Sequence, residues 1–254
     1  MKLLTIMQAK RLDGIALKKH IRTSHSLMKN AGRCVSSIAI SLLKKVQNPE
    51  ILVICGKGNN GGDGFAAASI LKDNNYNVNI HSLIPEKEIR GEGLRYFLEC
   101  KKKGVLISFS LKPQNRYFPD LIIDGLFGTG LSRPIDTKTF KYIQWVNQSN
   151  SEVLAIDIPS GLNGDTGEVS SIAVKANKTI TFGYTKLGMI LKKGPEYCGQ
   201  IIIKDIGFPE IFENELGGIN WEKFSEKKCK KILKKPELDS NKYASGKVLI
   251  IAGS

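Results

Sequence analysis

Residues 51–64 read ILVICGKGNNGGDG, an apolar run that passes directly into a loop of glycine, asparagine and aspartate. A short apolar strand that ends in glycines and opens a helix is the sequence mark of a phosphate-cradling turn. Gly56, Gly58 and Gly61 satisfy the GxGxxG spacing of dinucleotide loops. That pattern also requires an acid about 20 residues further on to hold ribose hydroxyls. The corresponding place holds His81, Ser82 and Leu83. The loop lacks the GK[ST] ending of an NTPase loop as well. It is therefore a ligand loop of another kind, distinguished by Asn59, Asn60 and Asp63. Asp63 reads equally as the N-cap of a helix starting near Gly64.

The same arrangement recurs twice. DLIIDGLFGTG (120–130) and VLAIDIPSGLNGDTG (153–167) are again apolar runs ending in an acid and a glycine-rich turn. Further apolar runs fall at 78–83, 105–108, 177–182 and 200–205. Helical spacing covers 8–20, 25–46, 64–72, 86–103 and 136–149, with Pro49 closing the second helix. Strands alternating with helices indicate an α/β fold with a mostly parallel sheet covered on both faces, preceded by two N-terminal helices. Ligands bind such sheets beyond the carboxyl ends of the strands. The three loops are thus expected to meet there.

Asp124 and Asp157 stand at the ends of buried strands, where a lone carboxylate is costly unless paired or bound to a cation. Ser160 adds an oxygen beside Asp157. Asn60, Asp124 and Ser160 form an all-oxygen set, which suits a hard ion better than a transition metal. Lys186 follows a strand and reads either as a surface lysine or as a group reaching phosphate or the reacting centre. The three histidines (His20, His25, His81) lie outside these clusters and read as surface or cap residues.

The chain has 254 residues, 41% of them hydrophobic, which supports a large core. Its five cysteines form no CxxC pair, so a reducing, cytoplasmic setting is expected. The opening MKLLTIMQAKRLDG is too short in apolar content for a secretory leader or a membrane span. The net charge of +14 comes from dispersed lysines with few aromatics among them, so neither nucleic acid nor membrane is the expected partner. A basic surface does favour a phosphate-rich ligand.

CGKGNNGGDGFAAA (55–68), LIIDGLFGTGLSRPI (121–135), VLAIDIPSGLNGDTG (153–167) and ITFGYTKLGMIL through IIIKDIGFP (180–209) together resemble the NAD(P)H-hydrate epimerase family, also called the YjeF N-terminal domain. The resemblance spans roughly residues 5–210. It implies a Rossmann-like three-layer αβα sandwich over residues 1–212. KYASGKVLIIAGS (242–254) resembles the opening strand of the ADP- or ATP-dependent dehydratase domain often fused behind it. A linker over 213–240 and the start of a ribokinase-like dehydratase domain over 241–254 are therefore expected, as in the front part of a bifunctional repair enzyme.

The family implies a substrate, the hydrated cofactors NADHX and NADPHX, whose R and S epimers differ at C6 of the reduced ring. It implies bound potassium and a homodimer too. Carried over by position, Asn59, Asn60, Gly61, Gly62 and Asp63 contact the substrate, and Gly128, Thr129, Gly130, Leu131, Ser132, Arg133 and Pro134 wrap its phosphates. Asp157 meets the reacting end. Asn60, Asp124 and Ser160 hold potassium. A carboxyl at the reacting centre would assist departure and return of the C6 hydroxyl; Asp157 is assigned that role, with Lys186 tuning it. The alternatives are a non-catalytic Rossmann-like scaffold, which needs none of these polar groups together, and a dehydrogenase, which lacks its ribose acid.

Overall fold

The computed structural model describes residues 2–18, 23–109, 119–130, 135–208, 213–219, 221–224, 228 and 230. Residues 2–221 form one compact unit. Met1 and residues 222–254 form another, of which little is described. In that second unit the Lys228 ammonium pairs with Glu222 at 2.5 Å and lies over the Phe224 ring. The expected dehydratase start at 241–254 lies outside the described residues.

The first unit begins with a short strand β1 (Lys2–Leu4) and two helices, α1 (Ile6–Lys18) and α2 (Ser24–Leu43). Thr23 caps α2 through a reciprocal capping box with Ser26. Strand β2 (Glu50–Cys55), helix α3 (Asn59–Asp73), strand β3 (Asn77–Ser82), helix α4 (Gly91–Lys102) and strand β4 (Leu106–Ser108) follow. Then come β5 (Leu121–Gly125), α5 (Thr137–Gln148), β6 (Glu152–Ile156), β7 (Lys178–Phe182), β8 (Thr185–Lys186), α6 (Gly194–Cys198) and β9 (Gln200–Lys204).

Seven strands form one sheet in the order β4-β3-β2-β5-β6-β7-β9, and every adjacent pair is parallel. Residues of β2 alternate between two cores. Ile51, Val53 and Cys55 join α2, α3 and α4 on one face. Leu52 and Ile54 join α5 on the other, with Ile143, Trp145 and Val146. Both faces being covered, the strands read as continuous apolar runs, each buried aliphatic side chain contributing about 1.5–3 kcal/mol. This is the three-layer αβα sandwich expected from the sequence.

The chain enters the sheet at β2, builds outward through β3 to β4, and then crosses back to β5 on the other side of β2. The order reverses between β2 and β5, so the crevice beyond their carboxyl ends is the topological switch point. The loops after β2 and β5 are the two glycine-rich segments.

Two differences from expectation matter. Helix α3 begins at Asn59 and not near Gly64, so Asp63 lies inside its first turns and is not its N-cap; Gly58 holds that place, without a side-chain cap bond. Gly58 takes φ +95°, which redirects the chain from strand to helix. Gly61 is required by crowding, since a Cβ there would fall 2.0 Å from the Gly56 carbonyl oxygen. Close packing thus overrides the poor helix propensity of Asn and Gly. Second, β1 pairs in parallel with β8, matching Leu3 to Thr185 and Leu4 to Lys186. Neither strand is legible as a periodic run, being two or three residues long.

Candidate active site

A cavity of about 650 Å³ opens at the switch point. That is within the range of about 300–1,000 Å³ typical of small-molecule and cofactor sites. Asn59, Asn60 and Asp63 line it from α3, Gly128, Thr129 and Gly130 from the loop after β5, and Asp157 and Lys186 from beyond β6 and from β8. Gly61 and Gly62 do not line it. A Cβ on Gly61 would strike Gly56, and one on Gly62 would strike Met28, so these two glycines let α3 pack closely and bring its neighbours to the cavity. Leu131, Ser132, Arg133 and Pro134 lie outside the described residues.

Asp157 directly follows β6 and adopts φ +66°, uncommon outside glycine and costing on the order of 1–3 kcal/mol. Its amide donates to the Ile180 carbonyl at 2.7 Å, which holds the bend against β7. Its carboxylate accepts from the Lys186 ammonium and, at 3.3 Å, from Thr181 Oγ1. Lys186 is only 3% exposed, so it is no surface lysine. Its ammonium also donates to Thr181 Oγ1 at 2.9 Å and to the Phe182 carbonyl at 3.5 Å. Three donors meet three acceptors, and the buried charge is satisfied.

Asp63 is buried nearby. Loss of solvent, then repulsion from Asp157 and Asp13, push its carboxyl well above the usual range. Asp13, on α1, faces the same cavity. Burial, then the charge of Asp157, raise it to about 6, with Lys186 opposing. The sequence reading missed this residue, because a single acid on an amphipathic helix carries no motif. Only its register offered a signal. Ala9, Asp13 and Leu17 recur at i, i+4 and i+8, a single helix face, and all three line the cavity.

Behind the cavity, Asp124 and Ser160 are joined directly. The Ser160 amide donates to Asp124 Oδ2 at 2.8 Å and its hydroxyl to Asp124 Oδ1 at 2.6 Å. The Leu126 amide donates to Asp124 Oδ1 and the Phe127 amide to Ser160 Oγ. Burial still lifts Asp124 to about 6, although these bonds lower it. Asn60 is pressed against the loop after β5, and a Cβ on Gly128 would come within 3.0 Å of its Oδ1. Its Nδ2 is buried without a hydrogen-bond partner. That unmet N–H calls for an acceptor oxygen, whereas only the carboxamide Oδ1 suits a cation. Asn60, Asp124 and Ser160 offer oxygens and a single carboxylate, a donor set that fits a hard cation of low charge.

The remaining expectations divide. His81 is not at the surface. It is buried at the end of β3 and stacked on Tyr142, and burial lowers it to about 4. His25 is half-exposed near the start of α2, 3.2 Å from Glu92. His20 lies outside the described residues. Among the described residues no helix is long and apolar enough to cross a membrane.

The family described as YjeF-related protein N-terminus matches residues 24–188. A bifunctional NAD(P)H-hydrate repair enzyme of Thermofilum pendens is 35% identical over 216 residues, 82% of this chain and 41% of that protein. An enzyme of the same name from Dictyoglomus turgidum is 33% identical, covering 100% of this chain and 50% of its own length. The chain spans about half the length of such curated relatives. An NAD(P)H-hydrate epimerase of Lentilactobacillus buchneri is 34% identical over 84% of this chain and 98% of its own. The crystal structure of yeast ynu0, YNL200c, shares the fold with a TM-score of 0.72 at 20% identity, over 89% of this chain and 98% of that one. With the family matching most of the chain and such relatives aligned along it, the chain belongs to the YjeF-related protein N-terminus family.

Proposed function

We propose that this chain is an NAD(P)H-hydrate epimerase that interconverts the R and S forms of NADHX and NADPHX at C6. The observation that carries the reading is the pairing of Asp157 with the buried Lys186 in a cavity also lined by the GKGNNGGDG turn and the Gly128–Gly130 loop. A relative that the chain covers for 98% of its length bears that name. A scaffold has no use for a strained aspartate paired to a buried lysine.

C6 of the substrate carries a hydroxyl beside the ring nitrogen. The nitrogen lone pair expels the hydroxyl, and water returns to the other face. Asp157 stands at the reacting end, held in one orientation by Lys186 and Thr181. Asn59 and Asp63, with Gly128 to Gly130, hold the rest of the cofactor. Leu131 to Pro134, assigned to phosphate contact by the family resemblance, lie outside the described residues. Potassium would be held by Asn60, Asp124 and Ser160, supplying a fixed positive charge that orders the surrounding loops. A homodimer, a cytoplasmic location and supply of the S epimer to a fused or separate dehydratase belong to the same reading.

The test adds a separate S-specific dehydratase to a mixture of R and S NADHX. With this protein present the whole pool is consumed; consumption that stops at the S fraction overturns the reading. Asp157→Asn keeps the fold and loses most of the acceleration, about 10²–10⁴-fold for a positioned acid–base group. Epimer ratios followed by chiral chromatography check it, and full activity in that variant removes Asp157 from the chemistry.

A further inference from the structure

Inversion at C6 through a planar intermediate breaks a C–O bond on one face of the ring and makes one on the other. One fixed carboxyl attends one face. Asp157 is fixed by Lys186 and Thr181, and the three donors of Lys186 are engaged by Asp157, Thr181 and the Phe182 carbonyl. Neither reaches around the ring. We propose that Asp13 is the second acid–base group of the epimerisation, serving the ring face opposite to Asp157 from its own wall of the cavity. This inference rests on the epimerase reading.

Three observations place Asp13 for that task. It lines the same cavity from a different element, α1, on the face shared with Ala9 and Leu17. Its helix is anchored to the site at its start. The Ile6 amide donates to Asp165 Oδ1 at 2.7 Å, and β1, which ends two residues earlier at Leu4, pairs with the strand that carries Lys186. The third is electrostatic. Lys10 of its own helix, Lys57 and Asp63 of the α3 turn, Asp136 before α5, Asp157 and Lys186 share the cavity with it, whereas α2 presents Ser24, Leu27 and Met28. Of these, the Asp157 charge outweighs the Lys186 charge at Asp13, and with burial it keeps this carboxyl protonated up to about 6. A group poised near the working pH is the one suited to exchange a proton.

The step balances as follows. The Asp13 carboxylic acid gives its proton to the C6 hydroxyl. The C6–O bond breaks, its electron pair leaves with the oxygen as water, and the nitrogen lone pair becomes the second bond of an iminium ion. Water adds to C6 from the other face, the π pair returns to nitrogen, and the excess proton passes to the Asp157 carboxylate. Solvent returns that proton to Asp13. From the opposite epimer the roles exchange. No oxidation state changes.

The productive form carries one proton between the two carboxyls. Interconversion of the epimers consumes no proton, so kcat/KM has one pH profile in both directions and falls as pH rises through about 6. The limb in kcat lies higher, because the bound diphosphate and the exclusion of water both disfavour the carboxylate. In Asp13→Asn we expect kcat to fall about 10²–10⁴-fold over the buffer-subtracted rate. KM stays within a few-fold, the alkaline limb disappears, and Asp13→Glu recovers part of the rate. Parental kcat with an unchanged limb in Asp13→Asn overturns the inference while leaving the epimerase reading intact. A parental protein that does not accelerate epimerisation overturns both. Carbon-13 NMR of the aspartate carboxyls gives an answer independent of the Asp13 variants. Asp13 titrates near 6 in the parent and lower in Asp157→Asn, and an ordinary value in the parent overturns the inference.

Discussion

At the scale of single residues, the site is a set of carboxyls held in unlike surroundings. Asp157 has a cation and a hydroxyl; Asp13 and Asp63 have burial and like charge. That difference has a consequence for stability. Asp13 stands at about 6 in the folded chain against 3.8 ordinarily. Between those values the folded chain holds a proton that the unfolded chain has released. Stability therefore falls as pH rises through this window, and the full penalty is present above it. Asp13→Asn removes the penalty, so the variant should be more stable than the parent at pH 8, by on the order of 1–3 kcal/mol. The gain should vanish below about pH 4. Thermal melts at the two pH values check this, and a variant less stable at pH 8 contradicts the burial account. Activity lost while stability rises is the expected sign of a functional strain.

Among elements, the loops after β2, β5 and β6 depend on one another. Asn60 stands in the first turn of α3 where the first loop ends, Asp124 at the end of β5 with the Phe127 amide in the loop beyond it, and Ser160 in the third loop. A cation shared by Asn60, Asp124 and Ser160 would clasp the three. Replacing potassium with choline should then lower the melting temperature and the epimerisation rate together, since a ligand at 100 times its Kd adds about 2.7 kcal/mol. Asp124→Asn should be insensitive to the exchange. Melting curves that do not move for the parent remove potassium from the site. The strands were legible at this scale because both faces of the sheet are buried, which writes them as unbroken apolar runs such as ILVIC and the LII of β5. The start of α3 was not legible. Asn59 to Gly64 are poor helix formers, and close packing that the sequence pattern does not show, Gly61 against Gly56 and Gly62 against the distant Met28, accommodates them in a helix. The two short strands β1 and β8 carry no periodicity, so the route by which Asp13 arrives beside Lys186 was hidden with them.

For the molecule as a whole, charge is the dominant global property. The chain carries a formal +14, and Lys10 and Lys57 stand at the cavity. On the proposed reading the substrate is a dinucleotide and brings a diphosphate, so encounter should be assisted by a long-range attraction that salt screens within about 10 Å at 0.1 M. With potassium held constant, added sodium chloride should lower kcat/KM and leave kcat unchanged; a salt-independent kcat/KM would show that the charge is only a solubilising surface. The candidate positions Asn60, Asp63, Asp124, Asp157 and Ser160 were legible because they sit in motifs near strand ends, where parallel topology gathers them. Asp13 sits in no motif, and only the folded chain reveals its company.

The pairing of β1 with β8 also bears on the order of events during synthesis. Leu4 must wait for Lys186, some 180 residues later, before the wall that carries Asp13 can close. Contacts of such long sequence separation form late, after the loop between them has been closed. The sheet from β2 to β6 is already complete in the chain by then. The protein should therefore acquire its parallel core first and its reactive chamber last, so that a nascent or partly refolded chain is compact before it is competent.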